Sequence, residues 1–132
     1  MAKIKSYTDI EQSKKLAEFL PLESADMCYK CLGEDPYDIV MCPYTDWKEE
    51  YKGLLISGDA NVFPCWSLAC LLGVLPIVDL CTPTLKMKLN HRYYMELCID
   101  YANHKYISTN DYDNPVDACV AMIGRLHELK ML

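Results

Sequence analysis

The sequence predicts an α+β fold in which a small antiparallel sheet, a hairpin or meander, packs with about three helices. Helix-start signals lie near both ends of the chain, apolar and polar residues alternate over 85–101, and an apolar stretch occupies 64–75 between them. The chain has 132 residues, 52% of them hydrophobic, which is enough for one core. We therefore predict a single compact domain spanning 1–132.

The first predicted helix follows Thr8. Thr8 and Glu11, three residues apart, are typical of a capping box, and Pro21 is expected to end the helix. Its apolar side consists of Ile10, Leu16, Ala17 and Leu20. Strand-like composition follows at 27–29 and 37–41, with a turn at 33–36, while 47–55 fits either strand or helix.

The central helix is predicted over Pro64–Leu75, with Pro64 in its first turn and Pro76 ending it. Because this segment is apolar nearly all round, we expect the central helix to be buried.

A hairpin and a last helix complete the expected fold. Alternation over 85–89 and 93–101 predicts two strands joined by a turn at 90–92, and a shorter third strand is expected at 105–108. Asn114 and Pro115 predict the start of the last helix. Its buried stripe is expected to contain Val116, Cys119, Val120, Ile123 and Leu126.

The charge balance disfavours several function classes. With 13 basic and 19 acidic residues the net charge is −6, so we expect no nucleic-acid partner. The N-terminus lacks the apolar region of a signal peptide, and the longest apolar run, near 65–78, is too short to cross a membrane. The expected location is cytoplasmic, where the eight cysteines are expected to be mostly thiols.

Three stretches together carry a resemblance: 24–27 (Ser-Ala-Asp-Met), 66–72 followed by Leu75-Pro76, and Asn114-Pro115 leading to Asp117-Ala118 and Leu126. On these residues the chain resembles a group of short uncharacterised proteins of gut bacteria, often found on prophages and mobile elements. The resemblance implies one compact domain and no particular activity. The group often has a small apolar residue where this chain has Cys65, which argues against an essential role for that thiol.

Cys28-x-x-Cys31 is the sharpest local motif. With Cys42 it offers three thiolates to a zinc ion, and Cys65 or His91 would be the fourth ligand. The alternative is a set of thiols that pack as small hydrophobic groups. No second C-x-x-C and no nucleotide-binding loop or hydrolase motif is present, so the sequence favours a protein that is not an enzyme.

Ten tyrosines are many for this length, and five lie in the predicted hairpin and the loop after it. Tyr93, Tyr94 and Tyr101 are the candidate interaction residues. If Tyr94 lies beside Lys88 and Glu96 on an outer sheet face, that face is suited to bind a protein. Alternatively, the aromatic pairs stabilise the sheet itself.

The sequence therefore predicts a non-enzymatic accessory protein that acts by protein–protein contact, either with a partner or with a second copy of itself. The alternative is a small zinc-binding domain using Cys28, Cys31 and Cys42, with zinc as its one cofactor. A third hypothesis is an enzyme of unrecognised type, which would need a pocket with converging polar groups.

Overall fold

The computed structural model describes residues 5–31, 39–42, 62–78 and 80–132. Its helices and antiparallel sheets confirm the predicted α+β class. The chain divides into two compact units: an N-terminal unit, Tyr7–Cys70, and a C-terminal unit, Met1–Ser6 with Leu71–Leu132. Each unit contains a three-stranded sheet. The count of one domain stays a prediction.

Helix α1 spans Ile10–Ala17, and its N-cap is Asp9, one residue later than the predicted cap Thr8. The Asp9 carboxylate accepts the Gln12 backbone N–H at 2.8 Å, and the Gln12 side chain accepts the Asp9 N–H at 3.1 Å. The capping box therefore consists of Asp9 and Gln12, and Thr8 is not the cap. Thr8 is instead fully buried, and its backbone N–H and its hydroxyl are both hydrogen-bonded to the Trp66 backbone.

The sheet of the N-terminal unit has the order β2-β1-β3, with β1 at Met27–Cys31, β2 at Ile39–Cys42 and β3 at Val62–Cys65. Strands β1 and β2 confirm the two predicted strand-like segments. Strand β3 corrects the predicted helix start, since Pro64 is the cross-strand partner of Cys28. An edge strand tolerates proline because one side of it needs no donor. The predicted turn at 33–36 and the ambiguous segment 47–55 lie outside the described residues.

Helix α2 (Leu68–Val74) starts four residues after Pro64. Leu71 is fully buried, but Leu72 is 40% exposed, and Ala69 and Gly73 are also exposed. The prediction of a buried central helix is corrected on this point. Apolar composition shows that a helix tolerates burial on all sides, whereas the packing around it determines which side is covered.

The C-terminal unit contains the predicted meander in the order β4-β5-β6. Its strands are β4 (Thr84–Met87), β5 (Tyr93–Asp100) and β6 (Lys105–Ser108), all antiparallel. Met95, Leu97 and Ile107 are buried and form the inner face of this sheet. The period-2 pattern of the sequence therefore predicts these strands and the buried side of β5 correctly. It is wrong for two residues of the first strand, since Met87 and Leu89, predicted on the same side as Leu85, are exposed.

Helix α3 (Pro115–Glu128) packs on β5. Its start is as predicted: the Asn114 side chain accepts the Asp117 N–H at 2.9 Å, and Pro115 is the first helical residue. The Asp117 carboxylate also binds the Lys5 ammonium at 2.7 Å. The fully buried stripe contains Met122 where the sequence predicts Val120, which is only half-buried. Its members are Val116, Ala118, Cys119, Met122, Ile123 and Leu126.

Candidate functional site

The sheet of the C-terminal unit has one face that α3 does not cover. Met95 and Leu97 of β5 are buried, and side chains alternate along a strand, so Tyr94, Glu96 and Cys98 lie on the other side. The register adds residues from both neighbouring strands to this side. We call it the outer face, and it consists of Thr84, Lys86, Tyr94, Glu96, Cys98, Tyr106 and Ser108.

Opposite charges are paired at the centre of the outer face. The Lys86 ammonium lies 2.9 Å from the Glu96 carboxylate, and the Ser108 hydroxyl donates to the same carboxylate at 3.4 Å. The hydrogen bond to Glu96 and its negative charge raise the pKa of Lys86. Both side chains remain partly exposed, so the pair is accessible to a binding partner.

Lys88 joins the outer face to the turn of the β4–β5 hairpin. Its ammonium lies 5.3 Å from the centre of the Tyr94 ring, a cation–π contact, and 3.0 Å from the Asp111 carboxylate. This part of the surface contains a concavity of about 550 Å³, which is lined by Met87, Lys88, Leu89, Asn90 and Tyr94. Tyr94 thus lies beside Lys88 and Glu96, the arrangement on which the docking hypothesis depends; docking itself stays a prediction.

The three predicted interaction tyrosines lie in three different settings. Tyr94 is on the outer face. Tyr93 is on the inner side, and its backbone exchanges two hydrogen bonds of 2.7 Å with Tyr112. Tyr101 is 68% exposed in the turn after β5, with its ring 6.4 Å from that of His104.

Tyr106 is the outer-face tyrosine that the predicted site omits. It pairs with Cys98 and is 50% exposed. The alternation of 105–108 indicates that Tyr106 and Ile107 lie on opposite faces. It does not indicate which face is outer, because the register shifts between Cys98 and Asp100.

The predicted zinc ligands all lie on β1 and β2. Cys28 and Cys42 are cross-strand partners, whereas Cys31 is paired with Ile39. The Cys28 side chain is fully buried. Within the described part of the chain, no group of three or more His, Cys, Asp or Glu side chains is close enough to hold a metal ion.

Cys65 lies in a buried polar cluster of the N-terminal unit. Its thiol donates to the Thr8 carbonyl at 3.4 Å, and the Tyr29 hydroxyl donates to the same carbonyl at 2.7 Å. Burial raises the pKa of the Cys65 thiol and that of the Tyr29 phenol. A thiol that stays protonated is a poor nucleophile, and its hydrogen bond to Thr8 links β3 to the segment before α1.

A second hydrogen-bonded group anchors the start of α2. The Asp26 carboxylate accepts the Ser67 backbone N–H at 2.9 Å and also the Ser67 hydroxyl. Burial acts to raise the pKa of Asp26, but the hydrogen bonds from Ser67 outweigh it, and the net pKa is lowered. Trp66 is held nearby, where its indole N–H donates to the Ser24 hydroxyl at 2.9 Å. The stretches that carry the resemblance therefore include contacts that shape the fold.

Among the described residues, no helix combines the length and apolarity needed to span a membrane. No protein-family profile, curated protein or solved structure matches the chain.

Proposed function

We propose that this protein is a non-enzymatic cytoplasmic accessory protein that acts by protein contact, binding a second copy of itself through the outer face. The observation that carries the proposal is the composition of that face. Its opposite side packs on α3, yet it presents Tyr94 and the half-exposed Tyr106 around a charge pair. Tyrosines with a polar tip are enriched at protein interfaces.

The charges of the outer face favour a second copy as the partner. In a two-fold symmetric dimer the same patch meets itself, so each cation must find an anion on the same patch. Lys86 and Glu96 meet this requirement, since they lie side by side. Rotation about a two-fold axis then brings Lys86 of one copy towards Glu96 of the other, with the tyrosines packing around them.

Sedimentation velocity over a wide concentration range tests the proposal. The wild-type chain is expected to show a monomer–dimer equilibrium, and Tyr106→Ala is expected to raise its Kd at least about tenfold, as for an aromatic anchor residue. Tyr101→Ala is the matched control, because it removes a more exposed tyrosine from the turn outside the outer face.

Two results would contradict the proposal. One is a wild-type chain that stays monomeric at every concentration. The other is an equal effect of Tyr101→Ala and Tyr106→Ala, which would place the interface at the β5–β6 turn. Circular dichroism of each variant shows that the fold is retained.

We propose zinc binding by Cys28, Cys31 and Cys42 as a second candidate function, favoured by the pairing of Cys28 with Cys42. Native mass spectrometry of protein purified under reducing conditions without chelator tests it. One zinc per chain, lost in Cys28→Ser and kept in Cys98→Ser, would support the site. A mass equal to the bare chain would contradict it.

A further inference from the structure

We propose that the edge of β6 pairs with β6 of a second copy, so that the two three-stranded sheets join into one continuous sheet. Among the described strands, β6 has a single neighbour, β5, and is therefore an edge strand. The N–H and C=O groups along such an edge are a template for another strand. This contact uses backbone groups at the strand edge and not the side chains of the outer face, so it goes beyond the proposed function.

A hydrogen bond at the end of β6 shows which of its backbone groups point outward. The Thr109 N–H donates to the Met95 carbonyl at 2.9 Å, and Thr109 lies opposite Met95 in the register of β5 and β6. Hydrogen-bonded and non-hydrogen-bonded pairs alternate along an antiparallel ladder, so Ile107 is also bonded to β5. The N–H and C=O groups of Tyr106 and Ser108 therefore point away from β5. In the described part of the chain, no other strand binds them.

A two-fold axis at Ile107 matches these outward groups to themselves. An axis perpendicular to the sheet makes the two β6 strands antiparallel and places Tyr106 of each copy opposite Ser108 of the other. Both of these pairs are then hydrogen-bonded pairs, in which the two residues exchange both N–H···O bonds. This register uses every outward N–H and C=O group of β6.

The side chains of β6 fit the same register. Ile107 of each copy meets Ile107 of the other at the axis, in a non-hydrogen-bonded pair whose Cα atoms lie about 4.5 Å apart. Isoleucine is favoured in strands because it packs well against cross-strand neighbours. Lys105 of each copy lies opposite the uncharged Thr109 of the other, so like charges do not meet in this ladder.

The other edge strand, β4, is protected against the same pairing. The Lys88 N–H donates to the Arg92 carbonyl at 2.8 Å, so by the same alternation the backbone groups of Leu85 and Met87 point outward. Self-pairing of these groups places Lys86 directly opposite Lys86 of the second copy, and like charges at opposite positions are destabilising. Lysine on an edge strand commonly prevents pairing. The assembly at the strand edges therefore closes with two copies.

Amide hydrogen exchange, followed by NMR on the isotope-labelled chain at low and high protein concentration, tests the pairing. The Tyr106 and Ser108 N–H groups are expected to exchange about tenfold more slowly when about nine-tenths of the chains are paired, because only the unpaired fraction exchanges. The Met87 N–H is the matched control. It also points outward from an edge strand, and it is expected to exchange rapidly at both concentrations.

Two substitutions at Ser108 separate the backbone from the side chain. Both remove the hydroxyl that donates to Glu96 at 3.4 Å. Ser108→Pro also removes an N–H that β5 does not use, and edge strands tolerate proline. It is expected to abolish the concentration-dependent protection of the Tyr106 N–H, whereas Ser108→Ala is expected to keep it. Circular dichroism shows whether each variant is folded, and the exchange of the wild-type chain decides the matter if Ser108→Pro is not.

Several results would overturn the inference. One is fast exchange of the Tyr106 and Ser108 N–H groups in a sample that sedimentation shows to be dimeric, which would leave the outer-face contact in place. Others are equal protection of the Met87 N–H and protection that persists in Ser108→Pro. Protection of Tyr106 and Ser108 together with an unchanged Kd in Tyr106→Ala would support the edge pairing and contradict the outer-face contact. A chain that stays monomeric at every concentration would contradict both.

Discussion

Replacing Thr8 with Val tests the buried hydrogen bonds of Thr8, which engage its side chain so that Asp9 caps α1 instead. The Thr8 hydroxyl accepts the Trp66 backbone N–H at 3.1 Å and lies 2.7 Å from the Ser13 hydroxyl. Thr8 and Ser13 are both fully buried. Valine keeps the shape of threonine but removes the hydroxyl, so the Trp66 N–H loses this acceptor and Ser13 loses its bond to Thr8.

The expected loss of unfolding free energy follows from these two hydrogen bonds. A buried polar group left without a partner costs about 1–3 kcal/mol, so Thr8→Val is expected to lower the free energy of unfolding by about 2–4 kcal/mol. Thr8→Ser keeps the hydroxyl and removes one methyl group, which costs about 1 kcal/mol. Thr8→Val is therefore expected to destabilise the protein more than Thr8→Ser, although valine matches the shape of threonine more closely.

Urea unfolding followed by tryptophan fluorescence is the assay. The chain has two tryptophans, and Trp66 is fully buried in the N-terminal unit, so the signal reports the unfolding of that unit. Ser13→Ala in the Thr8→Val background removes one unsatisfied hydroxyl. The double variant is therefore expected to lose less unfolding free energy than the two single variants lose in total. A Thr8→Val protein within about 0.5 kcal/mol of wild type would refute the reasoning.

Three further predictions concern the C-terminal unit. Burial raises the pKa of Cys119 from 9.0 to about 12. The unfolded chain therefore loses this proton first, and stability is expected to fall between pH 9 and 12 by at most about 1.4 kcal/mol per pH unit. Cys119→Ala should remove that part of the slope in urea titrations at several pH values; an unchanged slope would contradict it. Met122→Ala is expected to cost about 2–4 kcal/mol in thermal unfolding, and the exposed Arg125→Ala less than about 0.5; equal losses would show that the Met122 site is not packed. Lys130 has a positive φ of 59° at the end of α3, so Lys130→Gly is expected to stabilise by about 0.5 kcal/mol, and destabilisation would contradict the αL cap.

The local signals in the sequence predicted most of the C-terminal unit. Alternation over 85–101 gives each strand residue a side, and Asn114-Pro115 is a helix start that depends on neighbouring residues alone. Tyr106 shows the limit of such signals. Its place on the outer face depends on the register shift between Cys98 and Asp100, which involves two strands and leaves no mark in the spacing of either.

The N-terminal unit was predicted less well, because distant contacts override its local signals. In the sequence, Thr8 and Glu11 match the capping-box pattern better than Asp9 and Gln12 do. In the structure, however, Thr8 is hydrogen-bonded to Trp66, which is far along the chain. Pro64 fits the first turn of a helix, yet β3 pairs with β1 and extends the chain through it. In both cases hydrogen bonds formed across the fold outweigh a preference of a few tenths of a kcal/mol to about 1 kcal/mol.

The sequence by itself determined the α+β class, the meander and the capped last helix, because each depends on residues close together in the chain. Tertiary structure alone decided that Cys42, and not Cys31, is the strand partner of Cys28. It also decided that Tyr94 and Tyr106 share a face with Lys86 and Glu96. The physical reason is that register is set by hydrogen bonds and packing between separate segments, and a shift of one residue exchanges the two faces of a strand.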